Sequence, residues 1–127
     1  MYRLHVGVNL KWEKVNQTGD IPTGRHDHAL CAVGCTLFLF GGKNDKKAFR
    51  SLQGVYSFDT RDDHWSLCPT QGSEPLALNP GIATVYHQLY VIGGIENRIA
   101  TNEVDVFNTE NLTWTKVTTS GIPPSPR

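Results

Sequence analysis

The 127-residue sequence predicts an all-β fold assembled from a repeated four-stranded unit. Three features support it. The stretch "LFLFGG" at Leu37–Gly42 returns as "LYVIGG" at Leu89–Gly94, fifty-two residues on. Tryptophan recurs at Trp12, Trp65 and Trp114, and a Gly-x-x-Pro element recurs at Gly19/Pro22, Gly72/Pro75 and Gly121/Pro124, each with spacings of 53 and 49. "VYSFDTRDDHW" (Val55–Trp65) aligns with "VDVFNTENLTW" (Val104–Trp114) without a gap. No stretch sustains the 3.6-residue apolar period of an amphipathic helix.

Each strand of the unit has its own signal. "HALCAV" and "GIATVY" precede the double glycine by one tight turn and form the first strand. "TLFLF" and "QLYVI" form the second; their apolar residues fall on both sides of the pleat, as in a strand covered on both faces. "VYSFD" and "VDVFN" form the third, stopped by the turn formers Asp59-Thr60 and Asn108-Thr109. "HWSLC" and "TWTKV" form the fourth. Four strands in meander order at a period near fifty residues describe a blade of a β-propeller.

Composition narrows the function classes. Twelve Lys+Arg balance twelve Asp+Glu, so no broad electrostatic attraction draws the chain to nucleic acid or to an anionic membrane. No apolar run approaches the ~18 residues of a spanning helix, and the start "MYRLHVGVNLKW" lacks signal-peptide character. Cys31, Cys35 and Cys68 are odd in number, which suits reduced thiols in a cytosolic or nuclear protein; the expected location is cytoplasmic, and Cys31 and Cys35 are expected to be buried free thiols.

Several residue types invite a chemical reading. Arg25, His26, Asp27 and His28 cluster, yet no further metal ligands stand at defined spacing, and no metal or cofactor is expected. Cys31 and Cys35 are spaced unlike a Cys-x-x-Cys redox pair. "GGKNDK" follows no strand-to-helix pattern, so it is no phosphate loop. Asn16-Gln17-Thr18 and Asn111-Leu112-Thr113 match the glycosylation sequon and fall in expected turns; they matter only on a secretory route. One tryptophan per unit at a fixed position is expected to pack between neighbouring blades.

The pattern Pro22-x-x-Arg25-x-x-His28-Ala29, then "LFLFGG", "VYSFD" and Trp65, resembles the kelch repeat family, and the second unit repeats it through Gly93, Gly94 and Trp114. The phrase W-x-K-V-x-x-x-G-x-x-P, from Trp12 and again from Trp114, is similar to kelch proteins built almost wholly of repeats, of the Rab9-effector and host-cell-factor types. One departure stands out: the Arg and His positions of the second unit fall on Leu78 and Gly81. The resemblance implies that Arg25 and His28 hydrogen-bond backbone at the start of the inner strand. It implies that Gly41-Gly42 and Gly93-Gly94 close the second strand and release the chain into a loop.

The expected architecture is therefore an incomplete kelch-type ring. A lead-in (1–11) precedes an orphan outer strand of a preceding blade (12–15), two kelch repeats (16–68 and 69–117) and the start of a third (118–127). Closed propellers hold about four to eight blades, so the chain reads as a piece of a longer propeller, with self-association through its open blade faces as the alternative.

The loops that line one mouth of a kelch ring correspond to Lys43, Asn44, Asp45 and Arg50 of the first unit and Glu96, Asn97 and Arg98 of the second, joined by His26 and Asp27. The 43–54 loop is cationic, suited to an acidic peptide or a C-terminal carboxylate. The expected function is a non-catalytic protein-interaction scaffold. Its alternatives are a fragment of a metal-dependent kelch enzyme (a copper oxidase or an iron-dependent specifier protein) and purely structural blades of a ubiquitin-ligase adaptor.

Overall fold

The computed structural model describes residues 1–44 and 51–127. Among them the regular structure is all β, in three sheets. β1 (Tyr2–His5) and β2 (Lys11–Lys14) form an antiparallel ribbon. β3 (Thr18–Gly19), β4 (His26–Val33), β5 (Thr36–Lys43), β6 (Tyr56–Asp59) and β7 (His64–Leu67) form a five-stranded sheet in the order β3-β7-β6-β5-β4. β8 (Gly81–Val85), β9 (Gln88–Glu96), β10 (Ile99–Asn108) and β11 (Thr113–Val117) form the second blade, in the order β11-β10-β9-β8. The strands make two full blades and do not close a ring.

The outer strand at Trp12 is not an orphan, and residues 1–11 are more than a lead-in. Leu4 of β1 stands opposite Trp12, as Phe58 stands opposite Trp65 and Phe107 opposite Trp114. β1 and β2 are thus the third and fourth strands of a preceding blade. Met1, Tyr2 and Leu4 match the apolar positions Val55, Tyr56 and Phe58, a correspondence that passed unnoticed in the sequence.

The turn chemistry is the same in both blades. The Asp59 carboxylate accepts the Arg61 N–H at 2.9 Å, and the Asn108 side chain accepts the Glu110 N–H at 2.9 Å. The hydroxyls of Thr60 and Thr109 each donate, at 2.7 Å, to the carbonyl of the preceding turn, at Cys35 and His87. The Arg61 guanidinium, hydrogen-bonded to Asp59, holds that carboxyl down at about 2.

The Gly-x-x-Pro repeat marks the step from one blade to the next. β3 runs parallel to β7, and Gln71 bridges Thr113 in the same sense. Gly19 and Gly72 both have φ of 83°. A Cβ there would lie 2.1 Å from the Trp65 carbonyl oxygen and 2.4 Å from that of Trp114, so only glycine fits under the crossing.

The double glycines do not end their strands. β5 continues to Lys43 and β9 to Glu96, through residues held at positive φ. At Gly42 a side chain would collide with the His26 carbonyl oxygen at 2.7 Å and the His28 Cβ at 2.9 Å. The pair serves the close approach of the inner strand more than a release into the loop.

Two cores lie between the sheets. Ala29, Phe38, Phe40 and Val55 of the first blade pack on Leu89, Val91, Phe107 and Trp114 of the second. Phe40 meets Trp114 edge-on at 5.1 Å between ring centroids. Val15, Leu39, Phe58 and Trp65 form the smaller core between the first blade and the preceding half-blade. Each fully buried large side chain stabilises by about 1.5–3 kcal/mol. Trp65, 3% exposed, and Trp114, 4%, lie in the two cores, while Trp12, on the open side of the half-blade, is 67% exposed. The opposite face of the second blade is open too. Ile92 is 44% exposed where its counterpart Phe40 is 2%, so β9 is covered on one face only.

Candidate functional site

The inner strand of the first blade enters the sheet at the register pair His26–Lys43, so the two ends lie on one rim. Asp27 has φ of 56°. Its carboxylate lies 3.4 Å from the Lys43 ammonium and 3.2 Å from His26 Nδ1. Partial desolvation pushes the Asp27 carboxyl up, but the bonds to Lys43 and His26 outweigh it and hold the group below its usual range.

In the second blade β9 and β10 extend past the double glycine as a hairpin turning at Asn97 (φ 50°) and Arg98 (φ 69°). Positive φ at both central residues matches the twist of the flanking strands. Leu78 pairs with Ile95 through two backbone bonds of 2.8 and 2.9 Å. The Asn79 N–H donates to the Asp27 carbonyl at 3.0 Å, tying the second blade's entry to the first blade's rim.

These segments enclose a cleft of about 600 Å³, lined by Asp27, Lys43, Glu96, Asn97 and Arg98. His26 adjoins it through Asp27. Asn44 is half-buried beside Lys43 and does not line the cleft. Asp45 and Arg50 lie outside the described residues. Sequence reasoning missed the apolar part of the lining, Leu76, Leu78 and Ile95, and the polar Ser51, Gln53 and Asn79. The signal for this apolar lining was the leucine at position 78, which replaces the repeat's arginine.

Arg25 donates to the Thr23 and Gly41 carbonyls, each at 3.1 Å, and its guanidinium lies 5.4 Å over the Tyr56 ring. The backbone bond expected of His28 is not formed among the described residues; its Cβ instead packs beneath Gly42. Cys35 is exposed and Cys31 and Cys68 are half-buried, so the thiols are free but not buried. Cys35 follows Gly34 in the tight turn between β4 and β5, and Cys31 shares a 2.6 Å hydrogen bond with Thr84 of the neighbouring inner strand. Among the described residues no three His, Cys, Asp or Glu side chains converge as a metal site, and no helix is long and apolar enough to cross a membrane.

The KLHDC2/KLHL20/DRC7 Kelch-repeats domain matches residues 1–127. Kelch domain-containing protein 3 of Rattus norvegicus is 30% identical over 91% of the chain, covering 33% of that protein. Rab9 effector protein with kelch motifs of Mus musculus is 33% identical over 92% of the chain, covering 32% of that protein. The N-(sulfonatooxy)prop-2-enimidothioate sulfolyase of Thlaspi arvense is 29% identical over 89% of the chain, covering 34% of that protein. The chain spans about a third of the length of these curated relatives. With a family match along its whole length and blades in the repeat's own register, the chain belongs to the kelch-repeat family.

Proposed function

We propose that this protein is a non-catalytic interaction scaffold of the cytoplasm, engaging a protein partner through the rim cleft between its two blades. The observation that carries the reading is the composition of that cleft. Apolar Leu76, Leu78 and Ile95 share its walls with Asp27, Lys43, Glu96, Asn97 and Arg98. Apolar contact area beside charged and polar groups suits recognition of a protein segment. The described charges at the rim balance, so the preference for an acidic segment or a C-terminal carboxylate rests on the cationic 43–54 loop. The kelch name of the Rab9 effector relative favours the same class.

Affinity capture with the full-length protein identifies the partner, and titration of that partner against Leu78→Asp and Lys43→Glu variants tests the cleft. Each variant is expected to weaken binding at least ~10-fold, equivalent to about 1.4 kcal/mol. Unchanged affinity in both rules the cleft out. The sulfolyase relative motivates a second reading, an enzyme of the iron-dependent specifier type. Metal analysis of the full-length protein decides it: stoichiometric iron or copper supports the enzyme, and none removes it.

A further inference from the structure

A second cleft, of about 630 Å³, lies between the 73–77 connector and the second blade, next to the rim cleft. We propose that it is a receptor for a guanidinium, the arginine side chain of a partner protein.

The first blade supplies the precedent. There Arg25 donates to the Gly41 carbonyl and covers Tyr56. The repeat alignment puts Leu78 where Arg25 stands, Gly93 where Gly41 stands and Asp105 where Tyr56 stands. The second blade has thus lost a guanidinium and carries a carboxylate where the first blade has the ring that the guanidinium covers. Gly93 and Asp105 both line the cleft, and Glu74, Glu96 and Glu103 stand in the same walls. Lys116 is the only cation among the described lining residues, and it is held by Glu103.

A second observation is independent of these charges. Trp114 lines the cleft and is 4% exposed, and its indole N–H has no acceptor among the described residues; one Glu74 oxygen is likewise buried without a donor. At the other blade joint the Trp65 indole donates to Gln17 at 2.7 Å. The residue matching Gln17 is Thr70, too short to do the same. An arginine residue answers both needs. Its planar fork of five donors suits carboxylates, and its own backbone carbonyl offers an acceptor to the indole. Burial, ahead of repulsion from Glu103 and Glu96, also holds the Asp105 carboxyl above its usual range, and a bound cation relieves it.

The test is an NMR titration of the ¹⁵N-labelled chain with N-acetylarginine N-methylamide, ethylguanidinium and butylammonium. The Trp114 indole signal, assigned with Trp114→Phe, is the readout. Saturable shifts are expected with both guanidinium compounds and at least ~5-fold weaker binding with butylammonium, which lacks the fork. Leu78→Arg, which restores the first blade's own guanidinium, is expected to abolish the shift. Asp105→Asn, a conservative change, is expected to weaken binding ~5-fold or more. No saturable shift, equal binding of butylammonium, or undiminished binding in Asp105→Asn overturns the proposal.

Discussion

Trp65 and Trp114 are the same residue at the same repeat position, and they sit in two different joints. Each leans on the phenylalanine of the strand beside it, with ring centroids 4.8 Å apart. Trp65 completes a core of four buried residues against a half-blade, and its indole N–H is bonded to Gln17. Trp114 completes a core of eight, and its indole N–H is unpartnered among the described residues, over an acidic cleft. The repeat keeps the apolar skeleton that sets blade spacing and lets the polar positions around it drift. Function is free to enter where the drift opens space.

Truncating the tryptophans breaks the comparison most severely. Trp114→Ala is expected to cost about 3–5 kcal/mol, since a buried aromatic is removed from the larger of the two cores. Trp65→Ala is expected toward the lower end of that range, because one wall of its joint is a two-stranded ribbon. Trp12→Ala, at the exposed copy of the position, is expected within about 0.5 kcal/mol of the parent. Urea midpoints at constant slope measure all three. Equal costs for Trp114 and Trp12 contradict the assignment of the joints.

Glycine substitutions come next. Gly72→Ala is expected to cost about 2 kcal/mol or more: roughly 1–2 for a left-handed alanine, plus the displacement of the Trp114 carbonyl that a Cβ would meet. Gly121 is the third copy, with φ of 88°, and nothing stands within 4 Å of its Cβ position. Gly121→Ala is expected to cost about 1–2 kcal/mol, the backbone strain alone. Urea midpoints for the two variants check the difference. A Gly121→Ala cost matching that of Gly72→Ala breaks the distinction.

The skeleton was legible in the sequence and the drift was not. Gly41-Gly42, Trp65 and Val55–Asp59 stand out because packing and backbone conformation demand particular residue types at fixed spacings. The rim residues Asp27, Lys43, Glu96, Asn97 and Arg98 were gathered on one side by what the kelch resemblance implies about its loops. The apolar lining was not, because Leu76 and Ile95 look like ordinary apolar residues until the backbone pairs Leu78 with Ile95. The orphaned indole of Trp114 was invisible for a similar reason. It depends on the reach of a side chain forty-four residues earlier, at Thr70.

Exchanging the polar partners interconverts the joints on a smaller scale. Gln17→Ala leaves the buried Trp65 N–H without its acceptor and is expected to cost about 1–2 kcal/mol. Thr70→Gln offers Trp114 the acceptor it lacks and is expected to gain up to about 1 kcal/mol. The indole proton shifts of Trp65 and Trp114 are expected to move in opposite directions in the two variants, which separates a hydrogen bond from a packing effect.

The smallest effect belongs to Glu74, whose carboxylate accepts the Gly54 N–H at 2.9 Å on one oxygen and is buried without a donor on the other. Desolvation raises its carboxyl above the ordinary 4.5, and the Gly54 bond and the Arg25 charge only partly offset this. The folded state therefore holds this proton more tightly than the unfolded state does. Its contribution to stability is fully present below pH 4.5 and is lost as pH rises through the folded value. Glu74→Gln keeps the acceptor for Gly54 and never ionises. Melting temperatures of the two proteins are expected to converge near pH 4.5 and to separate toward neutrality, with the glutamine variant higher. Parallel curves across that range mean that the connector opens and wets Glu74, and the second joint is then looser than the first in its connector as well as in its polar bonds.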